Sequence, residues 1–165
     1  MDERLVTGLR AVAGVLVFVT AAYHLQWGLP RALIYLQGLG TLIASGVVPD
    51  PRPFLFVAFA GALFAGPYLV TRNLVTLRRG YQLGMLAMVL SILAWMFWHA
   101  TGHGAFLTPG PAPSTLGSDH TGVVSTIIEH YLTTPIDAAI KTSELAAAMA
   151  FGALLRWDPA VRPDD

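Results

Sequence analysis

Charge is missing from long stretches of this chain, and that absence limits its folds more than any other feature. Ala11 to Pro30, Pro53 to Thr71 and Gly80 to Ala100 contain no Asp, Glu, Lys or Arg. A helix needs roughly 20 mostly apolar residues to cross a bilayer, because the hydrocarbon core is about 30 Å thick and each residue rises about 1.5 Å. These runs predict membrane-spanning helices over about 5–27, 53–72 and 79–100. A fourth, 135–156, is apolar apart from Asp137, Lys141, Glu144 and the Arg156 at its end.

Composition agrees. Of the 165 residues 55% are hydrophobic and 12% charged, whereas soluble domains carry about 25% charged residues. Mean hydropathy is +0.59. So few charges could not cover the surface of a soluble fold. Ten Lys and Arg offset ten Asp and Glu, which leaves no basic surface for nucleic acid. With no Cys, disulfides, thiolate catalysis and Cys-ligated metal centres are excluded. The expectation is a single all-α integral membrane domain over 1–165 whose first partner is the lipid bilayer. A second membrane protein or another copy of the chain is a candidate partner.

Residues 31–48 are apolar but short for a span, and they hold Gln37, Gly38, Gly40, Thr41, Ser45 and Gly46. Arginine placement decides how to count them, because Lys and Arg collect in cytoplasmic loops. Four spans with a cytoplasmic N-terminus put Arg4, Arg10, Arg72, Arg78, Arg79, Arg156 and Arg162 inside, and only Arg31 and Arg52 outside. Either five-span arrangement exposes more arginines. The reading is therefore a four-helix transmembrane bundle of the plasma membrane with both termini cytoplasmic. Residues 31–48 form an interfacial or re-entrant helix after span one, and 101–133 form an outer loop. Trp27, Trp95 and Trp98 then mark the outer boundary and Trp157 the inner one. The first run lacks a clean signal-cleavage site and is read as a retained helix. Small residues four apart (Ala58/Ala62/Gly66, Gly61/Ala65, Ala148/Gly152) suggest close helix packing within the bundle, and Gly66-Pro67 suggests a kink.

All five histidines, His24, His99, His103, His120 and His130, fall toward the outer side in this topology. His99 and His103 are four apart and share a face if the helix continues through them. Imidazoles so spaced can hold copper or zinc, and histidine also ligates haem. His24, His99, His103 and His130 are thus candidate metal or haem ligands. The plainer alternative is histidines bonded to loop carbonyls at the headgroup level. His24 stands about 20 Å beyond Arg10 along a helix, so its ring should face protein. Its expected partner is His99 or the polar stripe of span four.

That stripe is His130, Asp137, Lys141 and Glu144, spaced 7, 4 and 3 apart on one helical face. Charges inside a span cost on the order of 2.5–3.5 kcal/mol each on the insertion scale, so they must pair and face inward. Asp137–Lys141 and Lys141–Glu144 have ion-pair spacing. Each member also has a plainer role. Asp137 can close a capping box begun by Thr134-Pro135, Lys141 can snorkel to headgroups, and Glu144 can merely neutralise Lys141. As a functional feature, the stripe suits a proton relay or cation path.

No nucleophile elbow, phosphate loop, dinucleotide fingerprint or zinc-protease motif is present, and no catalytic residue is named. The strings "LPRALIYLQ", "DPRPFLFV", "WHATGHGAFL" and "HYLTTPIDAAIKTSELA" resemble small four-span membrane proteins of halophilic archaea. The resemblance covers His24 to Leu155 and implies the four-span fold without implying an activity. Three functions follow from the residues. One is an accessory or binding protein holding copper, zinc or haem at His24, His99, His103 and His130. Another is a small proton- or cation-conducting transporter or channel subunit using Asp137, Lys141 and Glu144. The third is a purely structural membrane subunit.

Overall fold

The computed structural model describes residues 2–46, 49–101 and 122–161. Their regular structure is helical: α1 (Glu3–Ala44), α2 (Arg52–Thr71), α3 (Leu77–Ala100), α4 (Val123–Thr133) and α5 (Pro135–Trp157), followed by a 3-10 turn at Pro159–Val161. Four of them, α1, α2, α3 and α5, are long and apolar enough to cross a membrane. The chain is a multi-pass membrane-type helical bundle.

Local chemistry sets the helix ends. Asp2 caps α1, its side chain accepting from the Arg4 N–H at 3.2 Å, and Thr76 caps α3 by accepting from the Arg79 N–H at 3.3 Å. Prolines occupy the first turns of α2 and α5, where the missing N–H costs nothing. Between α2 and α3 the chain reverses through Asn73 at φ 57°, a left-handed position that Asn tolerates better than most residues.

The structure departs from the sequence expectations in four places. Residues 31–44 are not a separate interfacial or re-entrant helix. They continue α1 without a break through Pro30, giving a helix of 42 residues, or about 63 Å. Proline removes one backbone bond, and the apolar sequence on both sides sustains the helix across the gap. The expected outer loop 101–133 contains α4, and His103 and His120 lie outside the described residues. The stripe is not one helical face, because Thr134 leaves helical geometry at φ −116°, ψ 83°, as the residue before a proline prefers. His130 therefore sits on α4, apart from Asp137, Lys141 and Glu144 on α5. The small residues of α2 also divide differently: Ala58, Gly61, Ala62 and Ala65 are exposed, whereas Ala60 and Leu63 are buried.

α1 packs on α2 and on α5, and α3 packs on α5 and more lightly on α2, so the four long helices close around a common interior. α1 and α2 approach most closely at Gly28, where a Cβ would lie 2.9 Å from both the Phe56 Cβ and the Pro53 carbonyl oxygen. Only glycine fits there. Two apolar clusters fill the bundle. One joins Ala21, Ala60, Leu63, Met88, Ala147 and Ala148; the other joins Val6, Ala13, Tyr81, Ala150, Leu154 and Val161. Large apolar side chains such as Val15, Phe18, Leu55, Leu90 and Met149 face outward, the reverse of a soluble bundle and the arrangement lipid requires.

Candidate functional site

Three helices converge on a buried polar cluster. α5 supplies Lys141 and Glu144, α3 supplies Ser91, and α1 supplies His24. Glu144 is fully buried, His24 is 3% exposed and Lys141 8%. The Lys141 ammonium donates to Glu144 Oε2 at 2.8 Å and to Ser91 Oγ at 3.1 Å. Ser91 in turn donates to Glu144 Oε1 at 2.9 Å. His24 Nε2 lies 3.7 Å from that same Oε1.

The orientation of His24 is set from behind. Its Nδ1 lies 2.8 Å from the Thr20 carbonyl oxygen, which can only accept, so Nδ1 carries the proton and Nε2 is left toward Glu144. Phe56 and Phe59 of α2 wall the ring, with centroids at 4.7 and 4.9 Å. The sequence offered His99 or the stripe as the partner of His24, and the structure pairs it with the stripe.

Asp137 begins the polar run at the α4 end. It makes no capping box, because Thr134 gives no side-chain cap bond; instead Asp137 accepts from the Tyr23 hydroxyl at 3.1 Å. Lys141 does not snorkel, since its ammonium is held by Glu144 and Ser91. The tyrosine and histidine rings meet edge to face at 5.7 Å. Tyr23 and His24 are adjacent in sequence, and so they link the Asp137 and Glu144 halves of the cluster.

His99 and His130 form a separate pair, with ring centroids 4.4 Å apart. His99 Nδ1 is bonded to the Trp95 carbonyl oxygen at 2.8 Å, and the Trp95 ring lies 4.6 Å away. Thus His24 goes to the Glu144 cluster and His99 to His130, while His103 lies outside the described residues. Among the described residues no group of three or more His, Asp or Glu is disposed to hold a metal ion.

Two further charged layers lie outside this cluster, and the first joins the arginines expected outside to the tryptophans expected at the outer boundary. Arg52 lies over the Trp98 ring at 4.0 Å and near that of Trp27 at 5.5 Å, and Arg31 lies over Trp27 at 4.1 Å. At the opposite end Arg10 holds Asp158 through bonds of 2.7 to 3.0 Å, and the Tyr81 hydroxyl donates to Asp158 at 2.8 Å. The Ala160 N–H adds a bond at 2.9 Å. Burial by itself raises the Asp158 carboxyl; the bonds from Arg10, Tyr81 and Ala160 outweigh it and hold the group below the ordinary aspartate range. Arg10 and Trp27 are 17 residues apart on α1, about 26 Å, close to the thickness of a hydrocarbon core.

Comparison with protein-family models, with curated proteins and with solved structures finds no match to this chain.

Proposed function

We propose that the chain is a small proton-handling membrane protein whose working site is the His24–Glu144–Lys141–Ser91 cluster. The observation that carries this reading is the 3.7 Å approach of His24 Nε2 to a fully buried Glu144 oxygen that already accepts from Ser91. A structural ion pair needs only Lys141 and Glu144. Here a third titratable group, from another helix, is turned toward the same carboxylate.

Charge arithmetic supports the reading. Asp137 and Glu144 carry two negative charges against one on Lys141. A proton on His24 brings the four groups to neutrality, and its departure leaves one excess negative charge in the hydrocarbon layer. Ionisable groups at such depth are costly and are kept for proton or ion paths. Ser91 and the Tyr23 hydroxyl can each donate and accept, so they suit short proton transfers between neighbours.

The metal or haem reading at His24, His99, His103 and His130 has less support. Among the described residues it draws on the His99–His130 pair, because His24 is turned to Glu144.

The test is proton movement in vesicles. Wild-type protein reconstituted with a trapped pH-sensitive dye should dissipate an imposed pH difference faster than protein-free vesicles. Glu144→Gln removes the titrating group and keeps the shape; the Ser91 and Lys141 bonds to its amide oxygen are still possible, with Asp137 left to offset Lys141, so it should fold and fall to the protein-free rate. A wild type no faster than empty vesicles, or a Glu144→Gln variant as fast as wild type, would falsify the proposal.

A further inference from the structure

Polar side chains are distributed unequally along the bundle axis. From the cluster toward the α4 end, the described residues include Tyr23 and Asp137 and the His99–His130 pair. In the other direction buried polarity stops at Thr20, one turn below His24 and fully buried. Beyond it the interior is Met88 and Ala147 and then Ala13, Ala150 and Leu154, all buried. Ser91 and Tyr81 are ten residues apart on α3, so the cluster stands about 15 Å from the next buried polar layer. That layer is the Arg10–Tyr81–Asp158 lock, which ties the start of α1 and the start of α3 to the chain just after α5.

Water and protons do not cross a packed apolar layer of that depth while it stays closed. Among the described residues the Thr20 hydroxyl has no hydrogen-bond partner, whereas buried hydroxyls are ordinarily satisfied by protein or by an internal water. It marks the place where the polar path ends.

We propose that, with the bundle closed as it stands here, the cluster exchanges protons with the α4 end, and that flux across the membrane waits for the opposite end to open. The Arg10–Tyr81–Asp158 lock, with the apolar layers above it, is the closed gate to the opposite end. The proton as occupant rests on the function proposed above; the one-sided access does not. The titratable groups facing the site are Tyr23 and His24 from α1 and Asp137, Lys141 and Glu144 from α5. α3 contributes Ser91, and α2 contributes Phe56 and Phe59, which do not titrate. Opening the gate requires breaking the bonds to Asp158, which would free the ends of α1, α3 and α5 to separate.

The chain has no cysteine, so single cysteines report without background. In nanodiscs, Asp137→Cys and Tyr23→Cys should react with a cationic methanethiosulfonate reagent, whereas Ala147→Cys and Ala150→Cys should react on the order of a hundredfold more slowly, because they must wait for local opening. Adding Asp158→Asn, or Arg10→Gln as a second lock variant, should speed labelling of Ala150→Cys and leave Asp137→Cys unchanged. Gel filtration keeps the comparison to folded protein. Ala147→Cys or Ala150→Cys reacting as fast as Asp137→Cys with the lock intact would overturn one-sided access. Protection of Ala150→Cys in both lock variants would overturn the gate. No proton assay enters, so either failure is distinguishable from a failure of the Glu144→Gln flux test.

Discussion

Lys141→Met is expected to be the most damaging conservative-volume substitution in the bundle. The lysine side chain is 10% exposed and Glu144 is fully buried, so neither charge is screened by water. Removing the ammonium leaves Glu144 with Ser91 and His24 and places Asp137 on the same helix without a compensating cation. Breaking a buried pair by deleting one partner costs about 3–5 kcal/mol, because the remaining charge is stranded. Thermal unfolding of the purified protein in detergent should therefore shift strongly downward. The double variant Lys141→Met with Glu144→Leu should recover most of the loss, since an apolar replacement of both partners removes the desolvation cost. Equal melting of wild type and Lys141→Met would show that the two groups do not form a buried ion network.

The second large effect is at the other end of the molecule and depends on pH. The Asp158 carboxyl is held below its ordinary value, so it binds its proton less readily folded than unfolded. Its stabilisation is present above the unfolded aspartate value of about 3.9 and disappears as pH falls through the lower folded value. Wild type should lose stability over that acid window. Asp158→Asn should be less stable than wild type at neutral pH, and should lack this contribution to the acid loss. Arg10 is 41% exposed, so solvent weakens the pair relative to a fully buried one. The neutral-pH cost is therefore set at roughly 1–3 kcal/mol, the range for leaving a buried polar group unsatisfied. Melting curves of both proteins between neutral pH and about pH 3 measure it; parallel curves across that range would show that Asp158 is not the group involved.

The sequence displayed the spans because the physics that makes a span is local. Twenty apolar residues without a charge can be counted in one dimension, and α2, α3 and α5 begin and end within two residues of the expected limits. α1 was misjudged at Pro30-Arg31, where proline and a charge resembled a stop. A helix tolerates one missing backbone bond when both flanks are apolar, and Arg31 folds back to bond the Trp27 carbonyl oxygen at 2.9 Å. The α4–α5 break was the opposite error. The span was started at Pro135, yet regular spacing carried its polar face back to His130, across the Thr134-Pro135 step that ends one helix and starts the next.

The candidate site was legible in part. Asp137, Lys141 and Glu144 stood out because charge in an apolar run needs an explanation, and His24 stood out by its depth along α1. Their assembly around one carboxylate was not legible. Ser91 is an ordinary residue in an apolar helix, and only packing brings it between Lys141 and Glu144. The Arg10–Asp158 lock was invisible for the same reason. Its members are 148 residues apart; Asp158 sits at the end of α5 and Arg10 two turns into α1, and a charge near a helix terminus looks like a loop residue. Periodicity reports the face a residue shares on its own helix, whereas these contacts depend on which helices become neighbours.

The central claim is that Glu144 and His24 share a working proton within the membrane-spanning part of the bundle. Infrared difference spectroscopy across a pH step, on protein in lipid, reads carboxyl protonation directly. The wild type should give a carboxyl band that disappears in Glu144→Gln and shifts in His24→Gln, with the Asp158→Asn variant retaining it. Wild-type and Glu144→Gln spectra that are identical across the pH range would contradict the account, since the buried carboxylate would then hold one protonation state and serve only as the counter-ion of Lys141.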